Sequence, residues 1–96
     1  MTAVSLAVAA ERELDEAIEW YRKQQEGLQE RFLLEFLSTV RRIQAQPEIY
    51  TELRPGIRRG LLRRFPFSVI YEITGDAILV LAVAHQHRKP FYGRDA

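Results

Sequence analysis

The sequence predicts a single α+β domain spanning residues 1–96, in which a helical hairpin packs on a mainly antiparallel four-stranded sheet in the order β-α-α-β-β-β. Three observations predict it. Apolar residues alternate at Val4, Leu6 and Val8; two stretches of helical period follow between Ala10 and Ile43; three strand-like runs then lie between Ile57 and His85.

The first strand rests on Val4, Leu6 and Val8, which alternate with Ser5 and Ala7. From Ala10 the period changes: Ala10, Leu14, Ala17, Ile18 and Tyr21 share one helical face. Glu11, Glu13, Asp15 and Glu16 load the first turns with acid, where the helix dipole favours it. Trp20 lies off that stripe. Gly27 is a natural end for this helix, and Leu28, Phe32, Phe36, Val40 and Ile43, widened by Leu33 and Leu37, mark the next. Pro47 stops it, because proline lacks the N–H and disfavours helix at the preceding residue. So short a joint folds the two helices back on each other, with Phe32, Phe36 and the leucines as core.

Residues 47–56 read as the only loop, with Pro55-Gly56 as its turn signal. The second strand runs from Ile57 to Arg64 until Phe65-Pro66 interrupts it. Gly60 within it suggests a bulge or a close approach by another chain. The third strand, Phe67 to Ile73, places Phe67, Val69, Tyr71 and Ile73 on one face, with Tyr71 in the core. Thr74-Gly75-Asp76 makes a hairpin turn into the fourth strand, AILVLAVAH, which is apolar on both sides. By simple alternation Ile78, Val80 and Ala82 point one way, and Leu79, Leu81 and Val83 the other. The helices cover one face only, so the other needs a cover from the C-terminal tail, a second copy or a different chain, and we expect part of it to be intermolecular.

The chain has no cysteine, which excludes disulfides and thiolate-bound metal. No apolar run approaches the roughly 18–20 residues of a membrane span, and the opening residues lack a basic n-region, so a soluble cytoplasmic protein that does not engage membrane is expected. The net charge of +1 hides an asymmetry. Residues 1–53 carry six Lys/Arg against ten Asp/Glu, whereas residues 54–94 carry eight against two. A half so basic suits a polyanion or an acidic protein segment, although a solvated arginine-rich surface would read the same.

The order of elements is joined to specific local strings. The acidic first helix carries Trp20-Tyr21, a proline follows the second, and Arg58-Arg59 precedes FPFSVIYEI and ILVLAVAHQHRKPFYGR. The most specific are R-F-P-F-x-V-I-Y (Arg64 to Tyr71) and V-x-A-V-A-H-x-H-R-x-P (Val80 to Pro90). Over nearly its whole length the chain resembles the RelE/ParE superfamily of bacterial type II toxin–antitoxin toxins, with the ParE-like branch favoured. The resemblance implies a toxin, of the kind that stabilises plasmids, neutralised by a cognate antitoxin from the adjacent gene. It also implies operator DNA binding only through the antitoxin, and a homodimer or a heterotetramer with the antitoxin as assemblies.

Two chemistries occur in that superfamily. The ParE-like branch poisons DNA gyrase; the RelE-like branch cuts mRNA on the ribosome. Metal-independent RNA cleavage needs a base for the 2′-OH, an acid for the leaving oxygen and cations for the phosphorane. Here that set would be His85, His87, Arg88, Tyr92 and Arg63, with Arg59 as a further clamp. The two histidines face one side if the strand continues past His85. Against this, the endonucleases carry a catalytic arginine three residues before the tyrosine that is Tyr71 here, where this chain has Ser68. Losing one such donor typically costs about 10²–10³ in rate. The preceding loop offers Glu48, Glu52 and Arg54 instead of the lysines some nucleases use.

The resemblance therefore implies gyrase inhibition first, ribosome-dependent endonuclease activity second, and an inactive or differently targeted toxin-fold binding protein third. Candidate contacts to target or antitoxin are Arg58, Arg59, Arg63, Arg64, Leu79, Leu81, Val83, Arg88, Lys89 and Arg94. Arg58 and Arg59 point to opposite faces of a strand; their bland role, and that of Arg63 and Arg64, is pairing with the acidic first helix or with solvent. No cofactor is expected. Nor is a metal, since the histidines lack further ligands at compatible spacing. A free-standing DNA-binding module is disfavoured because the first helix is acidic.

Overall fold

A computed structural model of the chain describes residues 2–86. Its elements are β1 (Ala3–Leu6), α1 (Val8–Gln24), α2 (Leu28–Ala45), β2 (Glu52–Arg54), β3 (Ile57–Leu61), β4 (Phe67–Thr74) and β5 (Ala77–His85). Both helices lie on one side of a five-stranded sheet of order β1-β5-β4-β3-β2, in which β1 runs parallel to β5 and every other pair is antiparallel. The α+β class and the order of the long elements agree with the sequence reading. The strand count does not, because β2 forms in the stretch assigned to a loop.

Ala7 belongs to two ladders at once. Its N–H donates to the Val80 carbonyl at 2.9 Å, and its own carbonyl accepts from Glu11 N–H at 3.0 Å. The chain therefore enters α1 directly from the strand, and Val8, expected in β1, opens the helix with its side chain largely exposed. Gly27 makes the joint between helices at φ +84°, a left-handed conformation that costs a residue with a Cβ about 1–2 kcal/mol. α2 stops at Ala45, two residues before Pro47, as that proline requires.

β2 carries no apolar alternation; all three of its residues are exposed. It pairs with β3 through Glu52 opposite Arg58 and Arg54 opposite Ile57, around Gly56 at φ +81°. The Glu52 carboxylate closes the turn by accepting the Gly56 N–H at 3.0 Å. β3 ends at Leu61 instead of Arg64. Leu62 N–H donates to the Phe67 carbonyl at 3.0 Å and Phe67 N–H to the Phe65 carbonyl at 2.8 Å, so the chain folds into a tight connection to β4.

The main core lies between sheet and helices. Tyr21, Phe32, Phe65 and Phe67 meet with ring centroids 5.0–6.1 Å apart, mostly edge to face, and Val69, Tyr71, Ile78 and Val80 carry the core along the sheet. At Gly60 α2 presses against β3. A Cβ there would stand 3.2 Å from Ile43 Cδ1 and 3.4 Å from the Tyr50 ring, so the close approach comes from the chain's own helix and loop rather than from another chain.

The alternation expected for the last strand breaks in its middle. Ile70 pairs with Ala82 and Tyr71 with Val80, leaving Leu81 as the extra residue of a β-bulge. Beyond the bulge the faces exchange. Val83 joins Ile78 and Val80 against the helices and is 2% exposed, whereas Ala82 and Ala84 cluster with Ile70 on the helix-free face beside Leu81 and Ile57. Val83 therefore does not share a face with Leu79 and Leu81, because the inserted residue shifts the period of two by one.

Candidate functional site

The helix-free face of the sheet and the connection from β3 to β4 carry most of the residues singled out in the sequence. On the face, Arg59 stands opposite Ile70, Leu61 opposite Ser68, and Ser68 opposite Ala84. With Ile57, Leu81 and Ala82 this makes a largely apolar surface on which Ser68, Ile70, Ala82 and Ala84 are buried. Glu72, opposite Leu79, lies at its other end. The position where a nuclease would offer a guanidinium to a phosphorane thus holds a buried hydroxyl among alanine, leucine and isoleucine.

The arginines divide. Arg58 faces the helix side and donates to the Glu48 carbonyl at 3.1 Å and the Tyr50 carbonyl at 2.7 Å, with the Glu52 carboxylate 3.8 Å away. It holds the loop after α2 in place. Its partners lie in that loop, not on α1 as the bland reading expected. The acidic helix spends its charge elsewhere: Glu19 pairs with Arg22 and Lys23 on the same helix. Arg59 lies on the helix-free face, and Arg63 and Arg64 lie on the β3–β4 connection, exposed and without a carboxylate partner among the described residues.

His85 closes β5 opposite Phe67, its ring 5.1 Å from the Phe67 ring and edge-on to it. It thus belongs to the helix side, away from Ser68 and Ala84. Gln86 N–H donates to the Pro66 carbonyl at 2.7 Å, which fixes this end of β5 beside the connection carrying Arg63 and Arg64. His87, Arg88, Lys89, Tyr92 and Arg94 lie outside the described residues. Of the candidate nuclease set, His85 and Arg63 are placed, both at this end of the sheet.

Two polar positions were not legible as important. Glu13 on α1 accepts the backbone N–H of Val83 at 2.9 Å, just past the bulge and beyond the reach of β1 pairing, which stops at Val80. Only the pairing register could have shown that a carboxylate substitutes there for a strand. Glu35 accepts Arg63 N–H at 2.8 Å and lies 3.4 Å from Arg42, whose guanidinium also reaches the Tyr50 hydroxyl, Ser38 and Thr39. Close by, the Tyr71 hydroxyl donates to the Pro47 carbonyl at 2.6 Å, and burial pushes its pKa up to about 12.

Beside this network the connection opens onto a half-open cleft of about 350 Å³, lined by Leu28, Arg31, Leu34, Glu35, Arg64 and Phe65. Arg64 is the one non-glycine among the described residues with positive φ, at +70°. That conformation costs about 1–2 kcal/mol for a residue with a Cβ and tends to survive where a side chain is needed in place. Leu34, 67% exposed in mid-helix, adds large apolar surface at this cleft.

A helical hairpin on one side of such a sheet is a fold that this chain shares with solved toxins. The profile of the ParE toxin of the type II toxin–antitoxin system parDE matches residues 4–90, and the chain belongs to that family. Among solved structures, one described as the chromosomal ParDE toxin–antitoxin system from P. aeruginosa matches with a TM-score of 0.73 at 21% identity, covering 88% of this chain and 96% of that one. The isolated RelE toxin of E. coli matches with a TM-score of 0.59 at 17% identity, covering 99% and 95%. At these identities the structural likeness is one of fold. No curated protein matches significantly in sequence.

Proposed function

We propose that the chain is the toxin of a two-gene module, that it inhibits DNA gyrase, and that a cognate antitoxin encoded beside it neutralises it. One observation carries the choice of target: the helix-free face holds buried Ser68 among Leu61, Ile70, Ala82 and Ala84 in place of a phosphate-binding guanidinium. RNA cleavage without metal relies on cations fixed around the phosphorane, and on this face Arg59 is the single such group among the strand residues from Ile57 to His85. Membership in the ParE family supports the same reading, since gyrase inhibition asks for a shaped surface and no proton-transfer pair.

The two chemistries separate in cells. Induction of the chain without its genomic neighbour should stop growth and leave plasmid DNA relaxed or broken because gyrase is inhibited, while primer extension on translated mRNA finds no new 5′ ends. New ends, suppressed by His87→Ala or Arg88→Ala, would instead establish ribosome-dependent cleavage. Equal growth with and without the neighbouring gene product would argue for an inactive or differently targeted relative.

A further inference from the structure

We infer that the cleft between the start of α2 and the β3–β4 connection is a docking site for an acidic, apolar-tipped segment of the antitoxin, one apolar side chain filling the cleft and flanking carboxylates resting on Arg31 and Arg64. The inference rests on the toxin–antitoxin reading above and specifies where and by what chemistry the partner is held.

The chemistry of the walls selects the occupant. Leu28, Leu34 and Phe65 give the cleft an apolar lining, and its volume of about 350 Å³ is enough for a large side chain with the backbone that carries it. Phe65 is a firm wall, because its ring is wedged against Tyr21 and Phe32. Leu34 leaves most of its surface in water, which an incoming apolar group would relieve. Arg31 and Arg64 flank this lining with no carboxylate among the described residues in ion-pair range. The one acid present, Glu35, is already committed to Arg63 N–H and Arg42. Two unneutralised guanidinium groups beside an apolar floor fit carboxylates next to a hydrophobic anchor and repel a basic segment.

The backbone supplies a second, independent argument. Arg64 keeps a left-handed φ of +70° that glycine would adopt without strain. Folding alone favours glycine there; a requirement for the guanidinium at the cleft favours arginine. The two demands can be separated by substitution.

The test uses the purified full-length chain and the purified product of the neighbouring reading frame, with affinity measured by calorimetry. Arg64→Gly should leave the thermal midpoint unchanged or higher and still weaken binding about tenfold, as loss of one charged contact does. Arg31→Ala combined with Arg64→Gly should weaken it about a hundredfold and flatten the fall in affinity with rising salt. Leu34→Glu, which places a carboxylate beside both arginines, should abolish binding, while Arg12→Ala, an equal change in charge on α1, should not alter it. Wild-type binding with all cleft variants equal to it would overturn this site and leave the antitoxin reading standing. No binding by the wild type would overturn both. Self-association of the isolated chain that Leu34→Glu abolishes would assign the cleft to a second copy and overturn the proposal.

Discussion

Tyr71 shows how one side chain couples the sheet to the loop that follows α2. Its ring is fully buried and its hydroxyl reaches the Pro47 carbonyl at 2.6 Å. Tyr71→Phe should therefore cost about 1 kcal/mol at neutral pH, read from the midpoint of urea unfolding. The pH dependence has a definite sign. Burial raises the folded pKa from 10.0 to about 12, so the folded state holds this proton more tightly than the unfolded one. The contribution is complete below pH 10 and is lost as pH rises towards 12, a loss that Tyr71→Phe should remove from the unfolding profile. Gly60 makes the opposite demand, for empty space. Gly60→Val should cost about 1–3 kcal/mol, because Ile43 and Tyr50 already occupy the volume around a Cβ. The sequence identified Tyr71 as core and Gly60 as a point of close approach, but not the identity of what approaches. That depends on how far α2 settles onto β3, which no local pattern encodes.

At the scale of elements, the bulge at Leu81 decides which residues of β5 meet the helices. The helices, the hairpin at Gly75-Asp76 and the long strands were legible because their apolar periods are long and bounded by glycine or proline. The bulge was not. AILVLAVAH is apolar at every position until its last, so shifting the register by one changes nothing in its pattern. β2 was missed for a different reason: its pairing rests on Glu52, Arg58 and a glycine turn instead of on burial. Past the bulge, Glu13 takes the amide that β1 is too short to reach. Glu13→Ala should leave the nearly buried Val83 N–H unpaired, at a cost of about 1–3 kcal/mol. Hydrogen exchange should locate the effect, with the Val83 amide losing protection while amides of β4 paired with β3 keep theirs. Unchanged exchange at Val83 would mean that the carboxylate does not hold this part of the strand.

Over the whole molecule, charge and apolar surface are distributed by the fold rather than by the order of the chain. Among the described residues, no ion pair joins the acidic first helix to the basic second half of the chain. Glu19 pairs within α1, Arg58 is held by the loop, and Arg31, Arg59, Arg63 and Arg64 have no carboxylate in ion-pair range among the described residues. The candidate site was therefore legible as a composition but not as a place. Arg64 was read as the end of a strand and Phe65 as part of its interruption, whereas together they form one wall of a cleft whose other wall comes from α2. The helix-free face, for its part, is largely apolar, with Arg59 as its one cation among the strand residues from Ile57 to His85, and this supports the proposal that gyrase is the target. The most direct measurement is supercoiling of relaxed plasmid by purified gyrase, with the purified chain titrated in. Supercoiling should fall with added chain and be restored by the product of the neighbouring gene, with RNA in the same reaction left intact. Undiminished supercoiling at roughly micromolar chain, a concentration at which specific protein complexes ordinarily form, would contradict it.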